Sequence, residues 1–146
     1  MNRPIQSLNA PLHGLQPKLH DGVYVFASIP ADFDHSSLNP IGTFREAEGL
    51  TVIMEESIAL QAQLKILFRA AWISLEVHSE LAAVGLTAAV CTALAKEGIA
   101  CNMVAGAFHD HLFVPVAYAE TAMGVLERLQ VNAAAARGPG AIDSAT

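Results

Sequence analysis

Apolar residues along this chain follow two alternating periods. Over residues 22–29, Val23, Val25, Ala27 and Ile29 alternate with Tyr24, Phe26 and Ser28. That is the period of a strand, and Pro30 ends it. Residues 31–40 form a polar stretch without a period. Residues 41–47 and 50–55 predict two further strands joined at Glu48-Gly49. Residues 57–67 predict a helix with Ile58, Ala62 and Ile66 inward, and Glu55 or Glu56 as an acid of its first turn. From Trp72 to Val77 the strand period returns, with Ile73, Leu75 and Val77 on one face.

The next pattern is helical. Leu86, Val90 and Leu94 recur every four residues, and Ala89 and Ala93 fill the same stripe. This predicts a helix over 84–97, closed by Gly98. Residues 99–105 predict a strand with Ile99, Cys101 and Met103 on one face and Asn102 on the other. A turn follows over 106–110, and Leu112, Val114 and Val116 then share a face. Pro115 cannot donate to a ladder, so this strand should end or bulge there. A helix is expected over 118–130, with Ala119, Ala122, Met123, Leu126 and Leu129 along one stripe. From residue 72 onward the order is β-α-β-β-α, a split βαβ unit. It lacks a fourth strand, which another part of the chain or a second subunit would have to supply.

These residues carry a resemblance. The words E-G-L-T at 48–51, V-H-S-E-L-A-A-V-G-L-T-A-A at 77–89, L-A-K-E-G-I at 94–99 and H-D-H-L-F-V-P-V at 109–116 resemble ACT domains, the small ligand-sensing modules of amino-acid metabolism. The combination is similar to stand-alone bacterial proteins made of two ACT-like halves, and to the arginine-sensing tandem ACT proteins of animals. The resemblance implies an α+β fold of tandem ACT-like (ferredoxin-like) antiparallel sheets with helices on one face. The first half is degenerate, because residues 31–40 stand where a full repeat has its first helix. The division read from the sequence is a flexible arm over 1–14, a degenerate half over 15–70, a second half over 71–131 and a disordered tail over 132–146. The triplet G-L-T occurs at 49–51 and at 85–87, but one copy opens a strand and the other a helix, so it is no positional repeat.

Composition narrows the function classes. The chain has 146 residues, and 53% of them are hydrophobic against 15% charged. That builds a core easily and covers an isolated monomer sparsely, which favours a homodimer. The net charge of −6 and only eight scattered basic residues exclude a nucleic-acid surface. No apolar run reaches the length of a spanning helix, and residues 1–14 lack the charged start and apolar core of a signal peptide. A cytoplasmic location fits. Cys91 and Cys101 read as small apolar residues and not as a disulfide.

The chemistry centres on the start of the second-half helix. Unpaired backbone N–H groups there attract carboxylates. Gly85 lets a ligand approach the backbone, and Thr87 adds a hydroxyl; a tight turn with a packing glycine is the plainer reading. ACT ligands usually lie against this loop, so the resemblance strengthens the first reading. The expected site runs through Ser79, Val84, Gly85, Leu86 and Thr87 and faces Asn102, His109 and Asp110. A free amino acid fits its charge layout. His109 and His111 share a strand face, with His78 as a third candidate metal ligand, but a polar hairpin turn explains H-D-H equally and no metal is assigned. Glu46, Glu48, Glu76 and Glu80 have no spacing that pairs two carboxylates, and no nucleophile motif occurs. The reading is a non-enzymatic amino-acid-binding regulatory module without a cofactor. Its rivals are a structural protein with a decayed site and a histidine-based metal protein.

Overall fold

The computed structural model describes residues 14–76 and 84–137. The strand-forming segments become β1 (Pro17–Leu19), β2 (Tyr24–Ile29), β3 (Gly42–Glu46), β4 (Gly49–Glu55), β5 (Phe68–Leu75), β6 (Asn102–Ala105) and β7 (Asp110–Pro115). The helices are α1 (Glu56–Gln61), α2 (Leu86–Lys96) and α3 (Ala119–Arg137). The strands make one sheet in the order β3-β4-β2-β5-β7-β6, with β1 also paired to β5. Every pairing is antiparallel.

Strand β5 belongs to both halves. It is the last strand of the first half, antiparallel to β2, and the first strand of the second, antiparallel to β7. The 70/71 boundary read from the sequence therefore falls inside one strand. This also explains why the strand expected to begin at Trp72 begins at Phe68. A central strand is covered on both faces and loses the alternation that marks a half-exposed one. Ala70, Ala71, Ile73, Ser74 and Leu75 are all buried.

The missing fourth strand is β1. Pro17, Lys18 and Leu19 pair with Leu75, Ser74 and Ile73. β1 lies on the same side of β5 as β2, further along the strand, because β2 pairs at Phe68 to Ala70. Just before β1, Leu15 is completely buried in the second-half core.

Register assigns the two faces. Val25, Ala27 and Ile29 of β2 stand opposite Met54, Val52 and Leu50 of β4, and this set packs with Ala59 of α1 and Leu38. Ile73 and Leu75 of β5 join Leu112 and Val114 of β7 under Val90 and Leu94 of α2 and Ala122 and Leu126 of α3. All three helices thus lie on one face. Each large side chain there stabilises by about 1.5–3 kcal/mol on burial. The opposite face carries Phe26, Phe68, Trp72 and Phe113 around Ile53 and Ala70. Phe26 meets Phe113 edge-on at 5.3 Å, a favoured aromatic geometry.

Several element boundaries differ from the sequence reading. The helix expected over 57–67 is the shorter α1. Gln63 turns left-handed at φ 56°, and the Leu64 N–H bonds back to the Ala59 carbonyl. Ala62 is exposed and Ala59 takes the inward place, while Ile66 reaches the core from the following loop. Glu55 is the N-cap and Glu56 the first-turn acid. The strand expected from Ile99 starts only at Asn102, because the Ile99 N–H closes α2 on the Leu94 carbonyl beside Gly98. Val116 leaves the strand for a 3-10 turn after Pro115. The tail expected to be disordered from 132 is helical to Arg137. Its Ala133 to Ala136 run has the highest helix propensity of any residue type. In the first half, residues 31–40 hold only a 3-10 turn, Ser36–Leu38, whose Leu38 fills the core.

Candidate functional site

Strand β5 ends at Leu75 opposite Asp110 of β7, and Ala105 of β6 flanks Asp110 on its other side. Gly85 caps α2 at φ 103°, a left-handed conformation that favours glycine. No side chain caps this end among the described residues. The N–H groups of the first turn have no helical carbonyl to bond. Val84 is 91% exposed and Thr87 is exposed too, but Leu86 is buried in the core. Of the predicted loop, Val84, Gly85 and Thr87 face solvent at least partly, and Leu86 serves packing. Ser79 lies outside the described residues, as do Val77, His78 and Glu80.

A groove of about 450 Å³ starts at Gly85 and runs between α2 and α3, past Ala89 and Thr92 to Lys96 and Arg128. Small side chains of α2 line it with the larger Val125 and Leu129 of α3, and Lys96 and Arg128 stand with the acidic Glu97 at its far end. A second groove, of about 530 Å³, lies beside α1 between Glu56, Leu60 and Arg69. Arg69 reaches Glu56 through two nitrogens, one of them at 3.1 Å, and this ion pair holds the Glu56 carboxyl below its ordinary range.

The other predicted residues divide. His109 and Asp110 sit on the β6–β7 turn, closed by the Gly106 N–H on the His109 carbonyl at 2.9 Å. Asp110 is half-buried. Asn102 is elsewhere. It stands opposite Phe113, three residues from the Asp110 row and therefore about 10 Å along the strand. Its register places it on the helix-free face. Alternation dictates this: Met103 packs towards the helices, so its neighbour cannot.

Glu80 lies outside the described residues, and two of the other candidate carboxylates have partners that are not acids. Glu46 accepts from the Thr51 hydroxyl, and Glu76 lies 4.0 Å from Lys18. Among the described residues no three His, Cys, Asp or Glu converge as metal ligands. Cys91 and Cys101 are both free thiols, and burial, aided by a bond to Cys91, pushes the Cys101 thiol up to about 12.

One cluster escaped the sequence reading. His20 stacks on Trp72 with ring centres 3.6 Å apart. Its Nε2 lies 2.7 Å from the Ser74 hydroxyl, which lies 3.0 Å from His111 Nδ1. The Trp72 indole N–H donates to the same Nδ1 at 3.1 Å. Ser74 and His111 are cross-strand partners, and no local motif announces a pairing 37 residues apart. A polar Ser74 within the apolar run Ala70 to Leu75 was the one available signal. Ser–His proximity alone does not make a nucleophile here. Ser74 is 4% exposed, and the base nitrogen already accepts from Trp72. Burial, reinforced by Lys18, holds His20 below the usual histidine range. Burial, reinforced by His109, does the same to His111.

Comparison with known proteins follows the same division. Two ACT-domain models match in tandem, one over residues 3–71 and the other over 68–128. A Vibrio cholerae protein of unknown function, described as a possible transport protein, is 45% identical; the match covers 86% of this chain and 98% of that one with a TM-score of 0.79. An Agrobacterium tumefaciens protein is 19% identical over 80% of this chain and 89% of its own, with a TM-score of 0.64. The ligand-free regulatory subunit of aspartate kinase from Thermus thermophilus shares the fold at 13% identity, over 77% and 95% of the two chains, with a TM-score of 0.60. Among curated proteins none matches. The tandem models, the shared central strand and the single layer of helices agree, and the chain belongs to the ACT-domain family as a pair of ACT domains in tandem.

Proposed function

We propose that this protein is a non-enzymatic regulatory module that binds a free amino acid at the start of α2. The observation that carries the reading is the glycine-capped helix start, which opens on the groove leading to Lys96 and Arg128. Backbone N–H groups of the first turn take the ligand carboxylate, as helix N-termini do generally. Asp110, half-buried at the start of β7, takes the amine. Membership of a family of ligand-binding regulatory modules supports this.

The module works as a cytoplasmic homodimer in this reading. Among the described residues no helix is long and apolar enough to cross a membrane. Edge strand β6, Asn102-Met103-Val104-Ala105, carries no charge and no proline, and such an edge invites pairing. Light scattering at micromolar concentration is expected to give twice the chain mass; a clean monomer overturns the dimer.

The test of binding is a thermal-shift screen with the twenty amino acids. A ligand at a hundred times its Kd stabilises by about 2.7 kcal/mol. Thr87→Glu is expected to abolish the shift. It sets a carboxylate where the ligand's own would lie, and an acid suits the first turn of a helix, so the fold survives. If no amino acid moves the melting temperature, the ligand-free structural role replaces this reading.

A further inference from the structure

Strand β1 is fastened differently from the rest of the sheet. Its backbone adds the His20 N–H to the Trp72 carbonyl and the Glu76 N–H to the Gln16 carbonyl, both at 2.9 Å. The Lys18–Glu76 pair is exposed and long, and such pairs contribute little. The side-chain fastening is the cluster on the helix-free face: His20 stacked on Trp72 and bonded to Ser74, with Ser74 and Trp72 both bonded to His111.

The His111 ring of that cluster admits one protonation state. An indole N–H only donates. His111 Nδ1 must therefore accept, which leaves its ring neutral with the proton on Nε2. A second proton would have to enter at Nδ1, directly against the Trp72 N–H. A methyl at Gly106 would already lie 3.1 Å from His111 Nε2, so the ring packs closely on that turn. Protonated His20 would add a second cation to the same hydroxyl, beside Lys18.

From this geometry we propose that the histidine cluster is a pH-operated latch on β1: acid unfastens β1 from β5 while β2, β4 and β7 stay paired. The inference is independent of the ligand site at α2. The charged and titratable groups facing the cluster come from every neighbouring strand. Lys18, Asp21 and His20 belong to β1 and the turn after it, and Glu76 follows β5. His109 and Asp110 border His111 on its own strand, and Tyr24 of β2 faces Trp72 at 5.1 Å. β6 offers only Val104 opposite His111. Asp21 and Glu76 favour protonation of His20, and Asp110 favours it at His111, but burial outweighs them at both rings. Both rings are thus harder to protonate folded than unfolded. The latch is fully fastened above the ordinary histidine range, at about pH 6.5, and is lost as pH falls below it.

Amide deuterium exchange of the full chain at about pH 7.5 and pH 5.5, corrected for intrinsic rates, tests this. Peptides covering 15–20 and 72–76 are expected to exchange roughly tenfold faster at the lower pH, while 24–29 and 50–55 hold their protection. The chain has one tryptophan, so the emission of Trp72 should change over the same pH range. His109→Gln is expected to keep the response. His111→Gln accepts from Trp72 without titrating and is expected to flatten it, whether β1 is then held or free. Equal protection at both pH values in the wild type overturns the proposal. So does opening of all strands together, or a wild-type response in His111→Gln.

Discussion

Two glycines with similar surroundings in sequence have opposite tolerances. A methyl at Gly106 would lie 2.7 Å from the His109 carbonyl oxygen, whereas one at Gly42 would touch only Ile53 Cδ1 at 3.6 Å. Gly106→Ala must move the turn that carries His109 and holds His111, and is expected to destabilise by about 1–3 kcal/mol. Gly42→Ala fills ordinary contact space and should change stability by less than about 1 kcal/mol. Urea midpoints of the two variants check both. At this scale the sequence was partly legible. Leu86, Val90 and Leu94 read correctly as a buried stripe because an i, i+4 pattern is local. The side chain of Leu86 belongs to that stripe, so only its backbone N–H, in the first turn of α2, is left to meet a ligand. Asn102 was correctly placed on the strand face opposite Met103, but which face carries the helices is decided by tertiary packing. His20, Ser74 and His111 come together through cross-strand register, which no local pattern encodes.

Elements depend on what covers them. β1 has three residues and would be negligible alone; Leu15 anchors it in the core beside Ile73 and Leu75. Leu15→Ala is therefore expected to cost about 2–5 kcal/mol, as buried leucine truncations do. Leu60→Ala on α1, 58% exposed, should stay within about 0.5 kcal/mol. Thermal or urea unfolding separates them. From the sequence, residues 1–15 offered no period, so an arm was the natural reading. Residues 1–13 of it lie outside the described residues; Leu15, at its end, docks in the core, and β1 begins two residues later. The lesson at α1 and β6 is the converse: apolar residues such as Ile66 and Ile99 extend the pattern past the true ends, because loops also bury side chains. The order β-α-β-β-α was legible throughout the second half, where helix and strand periods alternate without interruption.

At the scale of the whole molecule, the layer of helices and the continuous sheet predict one unfolding transition. Far-UV circular dichroism, which averages both halves, and Trp72 emission, which reports β5, are expected to coincide in urea. Two separated transitions would show that the halves melt independently.

That expectation rests on β5, and β5 has a consequence for how the chain can be divided. A gene cut before Phe68 yields an N-terminal piece in which β2 keeps β4 but loses β5 on its other side. A cut after Leu75 leaves the C-terminal piece with β6 and β7 and nothing to close them. β1 compounds the problem, because the second half draws its fourth strand from the opposite end of the polypeptide. The two repeats overlap like links sharing a pin. Neither can be transplanted as a cassette unless residues 68–75 travel with both.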